Sequence, residues 1–330
     1  GAGMSHGWTA LLLLLAAALG PGTVARNASR GLAELDDAGL MAHVESSWRC
    51  HGDVRNIGFI HLPKTAGGSL HDAFRAVHTL RYVHYGADFN QKLKIRAGCN
   101  ASEDTELKPC VVNDIKHAGS GVIFGGHVRL GTEHLVLDGA AGRTAGLVTV
   151  LREPVSWLVS RHSYLSNVNS PAFAKFKTMS CIEMVRQLDG EQAKKLGVRP
   201  EKAMTTWMMQ LCGHLCAKLY RDGALSTEQA MSMVVRNLYT RFGVVGTLEA
   251  FGDFVDLLRA RYQPLRSVRV TASKHKSSSS AKSKCKEELQ SAAGREAIER
   301  SQSAKQLQVV YAHAERIFER QKQLARECTR

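Results

Sequence analysis

Ile57-Gly58-Phe59-Ile60-His61-Leu62-Pro63-Lys64-Thr65-Ala66-Gly67-Gly68-Ser69-Leu70 is the stretch on which the fold turns. Its apolar beginning, stopped by Pro63, reads as a short buried strand. A glycine-bearing turn follows. From Ser69 to His78 the residues Leu70, Phe74 and Val77 fall on one face of a helix. Strand, turn and helix in this order make a site for an anion. Glycines let the backbone turn tightly and bring its N–H groups close to a charge, and the helix start adds its dipole. Thr65 and Ser69 bring hydroxyls, and Lys64 a mobile point charge. The lysine precedes the glycines, which is not the order of a Walker A loop. Taken alone, such a turn is equally well a plain connection.

A second segment has the same form. Leu151-Arg152-Glu153-Pro154-Val155 ends the apolar run Gly146–Leu151 and opens a helix with proline at its first turn, and Ser160 lies two turns on. An arginine at a strand's carboxyl end and a serine on the next helix can hold a phosphate from two sides. Open α/β sheets bind ligands at such ends, and two sites suit a ligand with phosphates at both ends of a nucleoside. Further strands are predicted at 121–128 and 242–246, and helices at 155–165, 180–189, 201–218, 226–239 and 251–262. This alternation predicts an α/β fold, with a central, mostly parallel sheet flanked by helices. The domain is expected over 56–330, behind a stem or linker at 26–55. Ser273–Lys286 is low-complexity and basic and reads as a flexible loop. A long amphipathic C-terminal helix is expected over 287–328, where Leu307, Val310, Tyr311, Ala314, Ile317, Phe318 and Leu324 recur at helical spacing. The segment 86–120 reads as irregular.

The net charge of +14 asks for anionic partners. From Arg261 to Arg330 there are 16 Lys/Arg against 7 Asp/Glu, so the excess is concentrated there. Nucleic acid is disfavoured: aromatics are only 6% and none interleave with the basic run. Trp8–Leu19 is uninterrupted and apolar but too short for a full membrane span. It predicts a signal peptide over 1–25 cut at Ala25, or a short signal-anchor giving a membrane tether. The sequons Asn27-Ala28-Ser29 and Asn100-Ala101-Ser102 and the even count of 8 cysteines fit a secretory route. Cys99 with Cys110 is the expected local pair. Cys212-Gly213-His214-Leu215-Cys216 has no second ligand pair at zinc-finger spacing, which favours thiols or disulfide partners over a metal site.

The wording IHLPKTAGGSL, then TVLREPVSWLVSRHSYL, resembles the Golgi carbohydrate sulfotransferases of the heparan sulfate 2-O/6-O and uronyl 2-O group. Asn237-Leu238 with Phe242–Glu249 and Phe251, and Tyr311-Ala312 with Phe318 and Gln321, are similar to that group's later segments. The resemblance runs from Asn56 to Tyr262 and again near 307–321. It implies a P-loop-like sulfotransferase fold and an enzyme of the Golgi lumen. The sulfonate donor would be 3′-phosphoadenosine 5′-phosphosulfate (PAPS), the acceptor a hydroxyl of an acidic or neutral polysaccharide, and no metal would be needed. Lys64, Thr65, Gly67, Gly68 and Ser69 would bind the 5′-phosphosulfate, and Arg152 and Ser160 the 3′-phosphate. Gly126-His127-Val128 is similar to the motif whose histidine is the group's general base, so His127 and Lys64 would be catalytic, with His61, His71 and His162 as other candidates for the base. Two departures stand out. The 2-O enzymes carry a second histidine where this chain has Gly125, and Ala203–Trp207 follows its family segment only loosely. A phosphotransferase and a silent polyanion-binding protein remain as other readings.

Overall fold

The computed structural model describes residues 36–52, 54, 56–65, 67–77, 80–85, 121–133, 145–196, 203–270 and 279–328. Its centre is a five-stranded sheet, β1 (Ile57–Ile60), β2 (Arg81–Tyr85), β3 (Val122–Gly126), β4 (Gly146–Leu151) and β5 (Phe242–Thr247). The strands stand in the order β2-β3-β1-β4-β5, and every pairing is parallel. The predicted α/β architecture with a parallel sheet therefore stands. Parallel strands are covered on both faces, so their sequences run apolar without a break. That is why β1, β3, β4 and β5 were readable.

Alternation divides the strand side chains between two layers. On one face Phe59, Val148, Val150 and Val244 pack with α2 (Gly67–Arg75) and α7 (Phe251–Arg261). On the other face Phe124, Leu147 and Leu151 meet α3 (Pro154–Asn167), α5 (Thr206–Arg221) and α6 (Thr227–Arg241). A 3₁₀ turn at Pro171–Lys177 and helix α4 (Cys181–Leu196) follow α3.

Three elements depart from the expectations. The segment 26–55, expected to be a stem, contains helix α1 (Asp37–Ser47), capped by Asp36 accepting from the Gly39 N–H at 2.8 Å. Its Leu40 and Val44 are buried in the core. The stretch 273–286 was expected to be a flexible loop, yet α8 (Ser279–Gln290) is helical. The single helix expected over 287–328 is two, α9 (Ala292–Arg300) and α10 (Gln302–Glu327), separated at Ser301. Asp189 explains the break, because its carboxylate accepts from the Gln302 and Ser303 N–H groups at 2.8 and 2.7 Å and satisfies the start of α10.

Three disulfides, Cys50–Cys328, Cys181–Cys285 and Cys212–Cys216, tie these parts together, and no described cysteine is free. Such bonds fit an oxidising, secretory-type compartment. The last pair joins two positions of α5, so the half-zinc reading of that segment falls away. Among the described residues no helix is long and apolar enough to cross a membrane. The signal segment, the sequons and Cys99 with Cys110 lie outside the described residues.

Candidate functional site: a cationic cradle beside stacked histidines

Strand β1 is flanked by β3 and β4. The chain leaves β1 toward the β2 edge and leaves β4 toward the β5 edge. The carboxyl ends of β1 and β4 therefore form the switch point where an open parallel sheet leaves a crevice. Both anion-type segments are there: Lys64 follows β1 and Arg152 follows β4. They touch, since the Arg152 Nη1–H donates to the Lys64 carbonyl at 3.4 Å.

The loop after β1 is fixed from below. The indole N–H groups of Trp157 and Trp207 both donate to the Pro63 carbonyl, at 2.9 and 3.1 Å. The Thr65 hydroxyl donates to the Leu62 carbonyl at 2.8 Å. Held on both sides, Lys64 takes a left-handed backbone with φ 69°, a conformation that costs a residue with a side chain about 1–2 kcal/mol. Its ammonium lies 3.5 Å above the centre of the Tyr164 ring. Burial, and then the charges of Arg152 and Lys282, bring its pKa down to about 8.

No ion pair joins Lys64 or Arg152 to a carboxylate among the described residues. The acids nearest Arg152 are otherwise engaged. Glu153 caps α3 by accepting from the Val155 and Ser156 N–H groups at 2.8 and 2.6 Å. Glu249 accepts from the Glu153 N–H at 3.1 Å and from the Tyr311 hydroxyl at 3.0 Å. Arg152 Nε is buried with no partner among the described residues. Two half-buried cations with no direct ion pair among the described residues, Arg152 feeling Glu249 and Glu153 only at longer range, stand beside a helix that starts with Gly67, Gly68 and Ser69 and have the chemistry of a phosphate or sulfate site.

The histidines stand on the other side of β1. His61 and His127 end adjacent strands, and their rings stack with centroids 4.3 Å apart. The His127 Nδ1–H donates to the His61 carbonyl at 3.1 Å, which leaves Nε2 with its lone pair. The Gln210 amide donates to the same carbonyl at 3.1 Å and to the Val128 carbonyl, next to His127, at 3.4 Å. Burial lowers the His127 pKa, partly opposed by its bond to the His61 carbonyl, so the ring is neutral and able to accept a proton. Burial and then the neighbouring imidazoles of His127 and His71 push His61 lower still.

Gly125, which stands where the resembled enzymes carry their second histidine, is close-packed. A Cβ there would sit 2.9 Å from the Phe59 Cβ and 3.1 Å from the Phe59 carbonyl oxygen. No side chain fits without a shift, and the imidazole beside His127 comes from β1 instead.

Of the residues singled out from sequence, Lys64, Arg152 and His127 converge on the carboxyl ends of β1, β3 and β4. Ser160 lies one helical turn before Tyr164 on the side of α3 that meets Lys64. Gly67, Gly68 and Ser69 form the first turn of α2. The Thr65 side chain is fully buried, and its hydroxyl donates to the Leu62 carbonyl within the loop. His162 is elsewhere: its Nε2–H donates to the Met179 carbonyl at 2.7 Å, near the Cys181–Cys285 pair. Those cysteines are bonded to each other, so with His162 they are not a ligand set. Tyr164, Gln210, Trp157 and Trp207 were not foreseen. Trp207 ends the segment Ala203–Trp207, whose resemblance to the sulfotransferase group is loose, and it anchors the Pro63 turn from a fully buried position.

The chain matches no protein-family model and no curated protein.

Proposed function

We propose that this protein is a PAPS-dependent O-sulfotransferase of the Golgi lumen, with a P-loop-like sulfotransferase fold, acting on a hydroxyl of a polysaccharide. The observation that carries the reading is the pairing of two anion loops at one sheet switch point with a neutral histidine beside them. The resemblance of IHLPKTAGGSL and TVLREPVSWLVSRHSYL to that enzyme group supports it.

The residues fit the donor's anionic groups. Lys64 and the first turn of α2 would take the phosphosulfate end, and Arg152 with Ser160 the 3′-phosphate. The buried, unpartnered Nε of Arg152 is a donor in want of an acceptor. When bound, the donor supplies an activated sulfonate. Lys64 steadies the charge that gathers on the departing phosphate oxygen. His127 Nε2 takes the proton of the attacking hydroxyl, while its Nδ1–H on the His61 carbonyl fixes the tautomer. The basic stretch that includes Lys282, Lys284 and Lys286 suits an acidic acceptor.

The test is transfer of labelled sulfate from PAPS to a panel of desulfated glycosaminoglycans and neutral polysaccharides. Wild type, Lys64→Ala and His127→Ala would be compared, with binding of adenosine 3′,5′-bisphosphate measured in parallel. We expect transfer by wild type only, and nucleotide binding kept in His127→Ala. Absence of nucleotide binding in the wild type would sink the proposal. Nucleotide binding without transfer to any acceptor would point to a silent polyanion-binding protein.

A further inference from the structure

Of the described Phe, Trp and Tyr side chains, that of Tyr164 is the most exposed, at 50%. Packing in the core does not account for its place. Its neighbour does, since Lys64 Nζ lies 3.5 Å from the centre of the ring. Helix α3 spans both ends of this arrangement. The Trp157 indole, in its first turn, holds the Pro63 carbonyl, and the Lys64 side chain ends on Tyr164, in its last turn. The Val168 N–H closes that turn by donating to the Tyr164 carbonyl at 3.0 Å. The ammonium therefore reaches the carboxyl end of α3, where the helix dipole is negative. Arg152 and Lys282 both disfavour its charge, and no described carboxylate pairs with it. The face of the Tyr164 ring, negative over its centre, supplies the attraction.

We propose that Tyr164 is the positioning residue of Lys64: its ring face stands in for a counter-ion, holding the ammonium at the cradle while the cradle keeps its positive charge for an anion. The inference rests on the sulfotransferase reading, in which that anion is the phosphosulfate end of the donor. A carboxylate at this position would pin the lysine too, but it would cancel the charge and repel the ligand at close range. An aromatic ring attracts the cation and carries no net charge. It yields the ammonium to a phosphate or sulfate, whose charge-assisted bond is the stronger. Holding a long side chain in place beforehand also removes part of the ordering that binding would otherwise require. Tyr164 acts through Lys64 and needs its ring, not its hydroxyl. Half of that ring is exposed, so it can be exchanged without opening the core.

Calorimetric titration with adenosine 3′,5′-bisphosphate separates the ring from its surroundings. Tyr164→Phe keeps the face and should bind as wild type does. Tyr164→Leu should bind about threefold to tenfold more weakly, and Tyr164→Glu more weakly still. In a Lys64→Ala background, Tyr164→Leu should cost nothing further. Wild-type affinity in Tyr164→Leu or Tyr164→Glu, or a phenylalanine variant as weak as the leucine one, would overturn the proposal. So would an undiminished loss in the Lys64→Ala background, because the ring would then touch the ligand itself. A second readout needs no ligand. In proton NMR the ring current should move the ε-methylene protons of Lys64 upfield in wild type and Tyr164→Phe, and leave them at their ordinary position in Tyr164→Leu. Equal positions in all three would also overturn it. Should the wild type bind no nucleotide, the sulfotransferase reading fails by itself. The same variants titrated with inorganic sulfate, together with the NMR, still decide the part of Tyr164.

Discussion

Lys64 carries two properties that can be separated by substitution: a strained backbone and a desolvated charge. Lys64→Gly relieves the left-handed strain and should leave the protein at least as stable as wild type, by up to about 1 kcal/mol. Lys64→Ala keeps the strain and loses only the charge. Both should bind adenosine 3′,5′-bisphosphate at least tenfold more weakly, so calorimetric binding and thermal unfolding should diverge for the glycine variant. Because the pKa of Lys64 lies at about 8, its ammonium is charged below that pH and lost above it. A bound anion raises the pKa, so above pH 8 binding takes up a proton. Affinity should therefore fall up to tenfold per unit above pH 8, a slope that Lys64→Ala should abolish. At this scale the sequence was a good guide to charge and a poor one to company. Lys64, Arg152 and His127 were legible because each sits beside a proline, a glycine or a strand end. The stacking of His61 on His127 was not, since it depends on the register Ile60↔Gly126 between strands 66 residues apart.

Elements that bury a continuous apolar run were legible; those that lean on a neighbour were not. Strand β2, RYVHY, is polar because it closes the sheet at one edge, and its side chains are only partly covered. Helix α1 buries only Leu40 and Val44, too few for a period to show. Helix α8 has the composition of a solvated tail, yet Cys285 is bonded to α4 through Cys181 and the Cys181 N–H is accepted by Glu288 at 2.8 Å. The opposite edge of the sheet depends on one side chain. Gln321 of α10 is buried, accepts from the Val245 N–H at 3.0 Å and donates to the Gly243 carbonyl at 3.2 Å, completing the pairing of β5. Gln321→Leu keeps the bulk and strands both backbone groups away from water. Chemical denaturation should show a loss of about 2–3 kcal/mol, and amide exchange should quicken first in β5.

On the scale of the whole molecule, the anion cradle and the histidines lie on different sides of β1 and are tied together by two helices, α2, which carries Gly67–Ser69 and His71, and α5, whose Trp207 holds the Pro63 carbonyl and whose Gln210 holds that of His61. The β4–β5 half carries Arg152 and the α3 helix with Tyr164; the β2–β3 half carries His127. The ends of the described chain also meet. Cys50 and Cys328 are bonded across 278 residues, and close by the Gly52 and Tyr262 backbones pair in a parallel bridge. Replacing both cysteines by serine removes the largest loop that a disulfide here closes and should lower stability by about 2–5 kcal/mol, read from a lower denaturant midpoint together with a steeper slope, because the unfolded chain without the ring exposes more surface.

That closure also decides how the protein answers to a pull. Once α1 has been drawn off the core, a force applied between a handle before Cys50 and another at the carboxyl end passes through a single covalent bond, and the sheet and its site carry no load. Stretched from those points in an optical trap, the oxidised molecule should lengthen only by the residues outside the ring, whereas after reduction the whole intervening chain can pay out.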